Sequence, residues 1–267
     1  NKVFAVCVGR PKDASWHAAC SEAGATMREH AQHDTFVRKE LDHKRGRFPV
    51  INAGILHGQG SKGAHNLCVH GHDETLNALL GSKAIQRVAV HQSESLKLYF
   101  PRLYDYYHLR QTGVLAHDST LRPNFVRSVF ACSAFNMGDK VTTCSHRDCM
   151  NCPFGQCAVT AFGAYDYTRG GHLVLEEAQL YIEFPAGSLI LLPSATVTHA
   201  NTPIQEGEMR QSFTQYTPGG LFRYYDNGFR TESQLFEQDK EEYWRIMGEK
   251  DTRWEMGLGL WSTLDEL

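Results

Sequence analysis

The spacing of apolar side chains changes twice along the chain. Residues 14–40 place Ala, Met, His and Phe among polar positions with no glycine after Gly24, which predicts an amphipathic helix covering a core. Residues 48–56 are rich in β-branched side chains and predict a strand. His57-Gly-Gln-Gly-Ser-Lys-Gly63 follows and predicts an exposed loop, because glycines and small polar residues punctuate it. From 73 to about 115 the helical period returns, with Leu76, Leu79, Leu80 and Ile85 on one spacing and aromatics from Tyr99 to Tyr107.

Near Phe125 the pattern switches to short β-rich runs at 126–135, 157–162, 172–175, 180–184, 189–192 and 209–217. Gly170-Gly171, Pro185-Ala186-Gly187 and Glu206-Gly207 separate them as turns. Many short strands at even spacing predict a sandwich or barrel, not a parallel α/β sheet. A helix over 232–246 is predicted to close the chain. The expected organisation is one catalytic domain over 1–267: a helical and strand cover (1–124), a β core (125–230) and a C-terminal helical tail (231–267).

Composition adds bounds. The 267 residues are 42% hydrophobic and 21% charged, ordinary for a globular protein. No apolar run is long enough to span a bilayer, so no membrane partner is expected. Eight cysteines without scaffold spacing, and no signal peptide, point to a reducing intracellular compartment. The first residue is Asn, which reads as the start of a fragment. A net charge of −3 gives no global polyanion signature, so binding to nucleic acid would need local patches such as His43-Lys44-Arg45-Gly46-Arg47.

The chemistry concentrates in the β-rich part. His146 and Asp148 stand one residue apart, and His199 lies 51 residues beyond Asp148. Two imidazoles and one carboxylate form the facial triad of non-haem iron, which leaves coordination positions open. A lone histidine beside a strand is more often structural, and it is the set that carries the metal reading. Arg210 and Ser212 alternate on a predicted strand and so share a face; a guanidinium fork and a hydroxyl suit the distal carboxylate of 2-oxoglutarate. A rival metal reading uses Cys144, Cys149, Cys152 and Cys157, but a strand running through them would scatter the sulfurs to different faces. Buried or loop thiols are the other reading of those four.

The order His146-x-Asp148, Gly170-Gly171-His172-Leu173, Gly187-Ser188-Leu189, His199, Arg210-x-Ser212 resembles the 2-oxoglutarate dioxygenase superfamily over roughly the last half of the chain. Within it, His146-Arg-Asp-Cys-Met-Asn151 and His199-Ala-Asn-Thr-Pro203 are similar to the ligand blocks of the TET/JBP family, and the segment 154–229 resembles its compact fungal branch. The resemblance implies an α+β fold with a double-stranded β-helix (jelly-roll) core, flanked by helices from the N-terminal half and a C-terminal helix. It implies iron(II) and 2-oxoglutarate as cofactor and co-substrate, DNA containing methylated bases as partner, and hence a nuclear location. The implied activity is oxidation of the methyl group of a modified base, 5-methylcytosine to 5-hydroxymethylcytosine and further products. A 2-oxoglutarate-dependent hydroxylase of a protein or small molecule is the alternative.

For the base, Asn151 occupies the position that reads the flipped base in the family, with a turn or strand cap as its ordinary role. The animal enzymes carry a base-contacting His eight residues after the co-substrate Arg; here that position is Pro218. Gly220 in Pro218-Gly219-Gly220 would admit close approach of a ligand, and Asp226 would accept a hydrogen bond from an exocyclic amine, which both cytosine and N6-methyladenine carry. Asp-Asn-Gly is also an ordinary turn. Arg45, Arg47 and Lys62 are candidate phosphate contacts.

Overall fold

The computed structural model describes all residues from Asn1 to Leu267. Strand β1 (Val6–Gly9) leads into helix α1 (Trp16–His33); a short turn of helix, α2 (Arg38–Leu41), feeds a hairpin of β2 (Asp42–His43) and β3 (Gly46–Arg47). Strands β4 (Val50–Leu56) and β5 (His65–Asn66) follow, then helices α3 (Asp73–Gly81), α4 (Lys83–Tyr99) and α5 (Pro101–His117). The helical stretch expected over 73–115 thus breaks twice for local reasons. Ser82 caps α4 by accepting the Ile85 amide, and Pro101 occupies the first turn of α5, where its missing N–H costs nothing.

The rest of the sheet is β6 (Cys132–Asn136), β7 (Cys157–Ala164), β8 (Leu173–Leu175), β9 (Leu180–Ile182), β10 (Leu189–Leu192), β11 (His199–Asn201) and β12 (Met209–Tyr216). They make a seven-stranded sheet in the order β1-β10-β7-β12-β6-β4-β5 and a three-stranded sheet β11-β8-β9, antiparallel throughout. The N-terminal cover therefore contributes three strands to the large sheet. Its pairings, Val6 with Leu191 and Ile51 with Phe135, join positions far apart in sequence.

Alternation along β12 sorts the two faces. Gln211, Phe213 and Gln215 point to the helices, where Phe162, Phe213 and Phe135 pack with Trp16, Met27, Ile85 and Val88. Gln215 donates to the Gln92 oxygen and the Ala89 carbonyl and accepts from Ser128, while Gln92 donates to Thr160 and the Phe213 carbonyl, so these buried amides are fully used. On the opposite face Cys157, Ala161, Ile190 and Leu192 meet Leu173 and Leu175 of the small sheet. The two sheets are thus held together by apolar packing, and a cavity lined by residues of both lies between them.

Helix α6 (Gly219–Asp226) follows β12 directly, an element the sequence pattern did not predict; Leu221, Phe222 and Tyr224 are buried along it. The helix expected over 232–246 is two, α7 (Glu232–Gln238) and α8 (Lys240–Gly248), and a third, α9 (Arg253–Gly259), follows before a final 3-10 turn. Asp239 makes the first break, since its side chain accepts the Glu242 amide and caps α8.

Candidate metal and co-substrate site

His146 and His199 come together because the chain segments carrying them pair: each backbone N–H donates to the other's carbonyl, at 3.1 and 3.0 Å. The Asp148 amide donates to the Ser194 carbonyl at 2.8 Å and turns the carboxylate toward the same point. Nε2 of His146 lies 3.8 Å and Nε2 of His199 3.9 Å from the Asp148 oxygens. The three donor atoms lie within 4.8 Å of one another, and no other group of three His, Cys, Asp or Glu side chains converges in this way.

The tautomers are set for ligation. Nδ1 of His146 donates to the Cys144 carbonyl at 2.7 Å and Nδ1 of His199 to the Val197 carbonyl at 3.0 Å. Both Nε2 lone pairs are therefore left facing the carboxylate, as a metal requires. Burial, together with His199 alongside, lowers the pKa of His146 and keeps its ring neutral. The donor set of two neutral imidazoles and a carboxylate fits iron(II).

Arg210 sits deeper in the same cavity. It is 3% exposed; Nη1 donates to the Val141 carbonyl at 3.1 Å, and its Nε has no partner in the protein. No carboxylate pairs with it, and burial pulls its pKa below the usual arginine value, opposed by Tyr165 alongside. A buried cation with an orphaned donor is costly unless an anion completes it. Ser212, on the same face of β12, accepts from Asn136 Nδ2 at 3.0 Å, leaving its hydroxyl proton to donate. The pair fits the distal carboxylate of 2-oxoglutarate.

One cavity contains His146, Asp148, His199, Arg210, Ser212 and Asn151. Asn151 Nδ2 donates to Ser194 Oγ at 3.0 Å. Gly220 and Asp226 do not line that cavity; they face an adjoining cleft whose wall also includes Asn151. Asp226 ends α6 and pairs with Arg110 at 2.8 Å, and a Cβ at Gly220 would meet the His57 carbonyl at 2.3 Å. The close approach at Gly220 is thus made by the protein's own backbone. Lys62 is exposed, and Arg47 is exposed beside Asp42.

Arg45, read from sequence as a possible phosphate contact, enters the metal site: it donates to Asp148. Alternation from Arg210 could also have picked out Thr214 and Tyr216, which line the same cavity. Asn201, two positions after His199, accepts from the Thr143 amide and hydroxyl at 2.8 and 2.7 Å and ties the strand of one ligand to the approach of the others.

The four clustered cysteines do not converge. Cys144 and Cys149 are exposed, whereas Cys152 and Cys157 are buried in different apolar clusters, where desolvation pushes both thiols up to about 12.

No family model matches the sequence, and no curated protein matches it. Among solved structures, the chain is similar to NgTET1 in complex with 5mC DNA, with a TM-score of 0.57 at 15% identity over 81% of this chain and 72% of that one. A Pseudomonas putida prolyl-4-hydroxylase aligns at 12% identity over 80% and 91% of the two chains with a TM-score of 0.43. An oxidoreductase of the 2OG-Fe(II) oxygenase family from Burkholderia pseudomallei aligns at 15% identity over 78% and 93%, with a TM-score of 0.38. The first of these likenesses establishes a shared fold.

Proposed function

We propose that this chain is an iron(II)- and 2-oxoglutarate-dependent dioxygenase of the TET/JBP type, built on a double-stranded β-helix and acting on a methylated base in DNA. The observation that carries it is the convergence, in one cavity, of a metal-ready His146-Asp148-His199 triad and a buried arginine that lacks an anion. Iron with 2-oxoglutarate and dioxygen supplies, when bound, the oxidising power that turns a methyl C–H into C–OH.

The protein's own residues do the rest. The Nδ1 hydrogen bonds fix both imidazole planes, and Arg45 orients the Asp148 carboxylate. Arg210 and Ser212 anchor the co-substrate at the closed end, while Leu173, Val159 and Ala134 provide apolar walls that limit water. Tyr216 lines the same cavity and brings an aromatic ring to it, the kind of surface a flat base would pack against. Asn151, its amide N–H committed to Ser194, keeps Oδ1 to accept from an exocyclic amine. 5-Methylcytosine and N6-methyladenine both present that amine beside a methyl group. The first would give hydroxymethylcytosine and further oxidation products; the second would be demethylated through a hydroxymethyl group on nitrogen that leaves as formaldehyde. The base must first leave the stack, which costs a few kcal/mol. A nuclear location follows from this substrate. The likeness of the fold to NgTET1, whose structure was determined with 5mC DNA, supports the DNA reading.

The test is incubation with iron(II), 2-oxoglutarate and ascorbate on duplex DNA bearing 5-methylcytosine or N6-methyladenine, with nucleoside mass spectrometry and His146→Ala as control. Base oxidation absent from the control is expected. Succinate formation without any change in the bases would transfer the proposal to a protein or small-molecule substrate.

A further inference from the structure

Across Asn151 from the metal triad lies a second cleft of about 350 Å³, walled by the loop 149–154, α6 and the C-terminal helices. Arg223, Lys250 and Arg253 line it, with Trp254 at its edge, 42% exposed. Arg223 and Arg253 have no carboxylate partner, and Lys250 has only a 3.6 Å contact to exposed Glu232. The one acid among the lining residues, Asp226, is already paired with Arg110, whose guanidinium lies 3.4 Å from the centroid of the Tyr106 ring. The interior is therefore cationic beside an accessible indole.

The outward surface of the same helices is mixed but net acidic: Glu241, Glu249, Asp251 and Glu255 are exposed beside Lys240 and Arg245, and Arg245 is paired with Glu242 and Glu249. A duplex laid across them would meet like charge, whereas one nucleotide reaching into the cleft meets cations and a ring. Asn151 lines both cavities, which sets the cleft beside the metal cavity, where a nucleotide next to the target base would lie.

We infer that the cleft is a nucleic-acid subsite for the nucleotide flanking the target base, its phosphate held by Arg223 and Arg253 and its base stacked on Trp254. This rests on the reading of the chain as a DNA dioxygenase. It commits the enzyme to a locally splayed single strand and gives the C-terminal helices a part in choosing the flanking nucleotide.

The experiment is a salt series of binding by fluorescence anisotropy, with a short single-stranded oligonucleotide carrying one 5-methylcytosine, alongside tryptophan emission. The Arg223→Ala/Arg253→Ala double variant should bind about tenfold more weakly, with the slope of log K against log salt reduced by about 1. Trp254→Leu should lose most of the emission quenching seen on binding, and Lys12→Ala should match wild type. Thermal midpoints equal to wild type establish that the variants are folded. Wild-type affinity and slope in the double variant, or undiminished quenching in Trp254→Leu, would overturn the subsite while leaving base oxidation by the wild type intact. Polyglutamate competing as well as an oligonucleotide of equal charge would also overturn it, in favour of an acidic peptide. A wild-type protein that neither binds nor oxidises methylated DNA would defeat the DNA reading itself and the subsite with it.

Discussion

Arg45 donates a hydrogen bond to Oδ1 of Asp148 at 2.5 Å, tying the β2–β3 hairpin to the carboxylate of the metal triad. The two residues are 103 positions apart, and the arginine is 44% exposed while the carboxylate is 13% exposed. A partner this close holds the Asp148 carboxylate in one orientation beside His146 and His199.

Removing that partner should loosen the triad without unfolding the chain. Arg45→Ala is expected to weaken cobalt(II) or iron(II) binding by roughly 10- to 100-fold, the usual cost of losing a residue that orients a metal ligand. Arg45→Lys, which keeps charge but loses the fork, should fall between. Metal titration followed by calorimetry reads this; equal affinity in all three proteins would show that Asp148 needs no help.

Arg210 should matter through the co-substrate alone. Losing a charged hydrogen-bonding partner for a carboxylate is worth about 1.5–3 kcal/mol, so Arg210→Ala should weaken 2-oxoglutarate binding about 10- to 100-fold. Metal affinity should stay near wild type. Binding of 2-oxoglutarate to the variant at wild-type strength would place the anion elsewhere.

Gly163 faces Arg210 across the β7–β12 ladder with φ +113°, and a Cβ there would lie 2.1 Å from the Met209 carbonyl oxygen. Both the left-handed backbone and the contact with main chain forbid a side chain. Gly163→Ala is expected to destabilise by about 2–4 kcal/mol, seen as a midpoint lower by roughly 5–10 °C. An unchanged midpoint would mean that the two strands can separate locally at little cost.

Glu177 accepts from the Thr198 amide and hydroxyl, at 2.7 and 2.6 Å, and from Arg147, bridging the residues beside His199 and His146. The Thr198 hydroxyl, followed by Arg147, pulls the Glu177 pKa down to about 2. Because the folded value lies below the ordinary one of 4.5, the bridge contributes fully above pH 4.5 and is lost as pH falls toward about 2. The Thr198 amide resonance should titrate near the lower value while the protein remains folded; a midpoint near 4.5 would show that the carboxylate is free in solution.

Much of the site was legible in sequence because its determinants are local. The His-x-Asp pair, the arginine and serine two apart on one strand, and turn glycines between short apolar runs reflect ligand chemistry and the two-residue period of a strand. These fix which side chains share a face. They could not show that Val6–Gly9 closes the edge of the large sheet beside Leu189–Leu192, because four residues of strand carry little pattern and the pairing spans most of the chain. Nor could they show that 219–226 would coil: two glycines at its start disfavour a helix, and burial of Leu221, Phe222 and Tyr224 makes it one.

The sequence by itself determined the chemistry available, namely two imidazoles, a carboxylate and an arginine in a fixed order along alternating strands. Only the tertiary structure decided that Arg45 joins the metal carboxylate, that Asp226 is paired with Arg110 outside the metal cavity, and that unpaired arginines gather across Asn151. Those relationships depend on register and packing between segments tens to more than a hundred residues apart, where local periodicity carries no information.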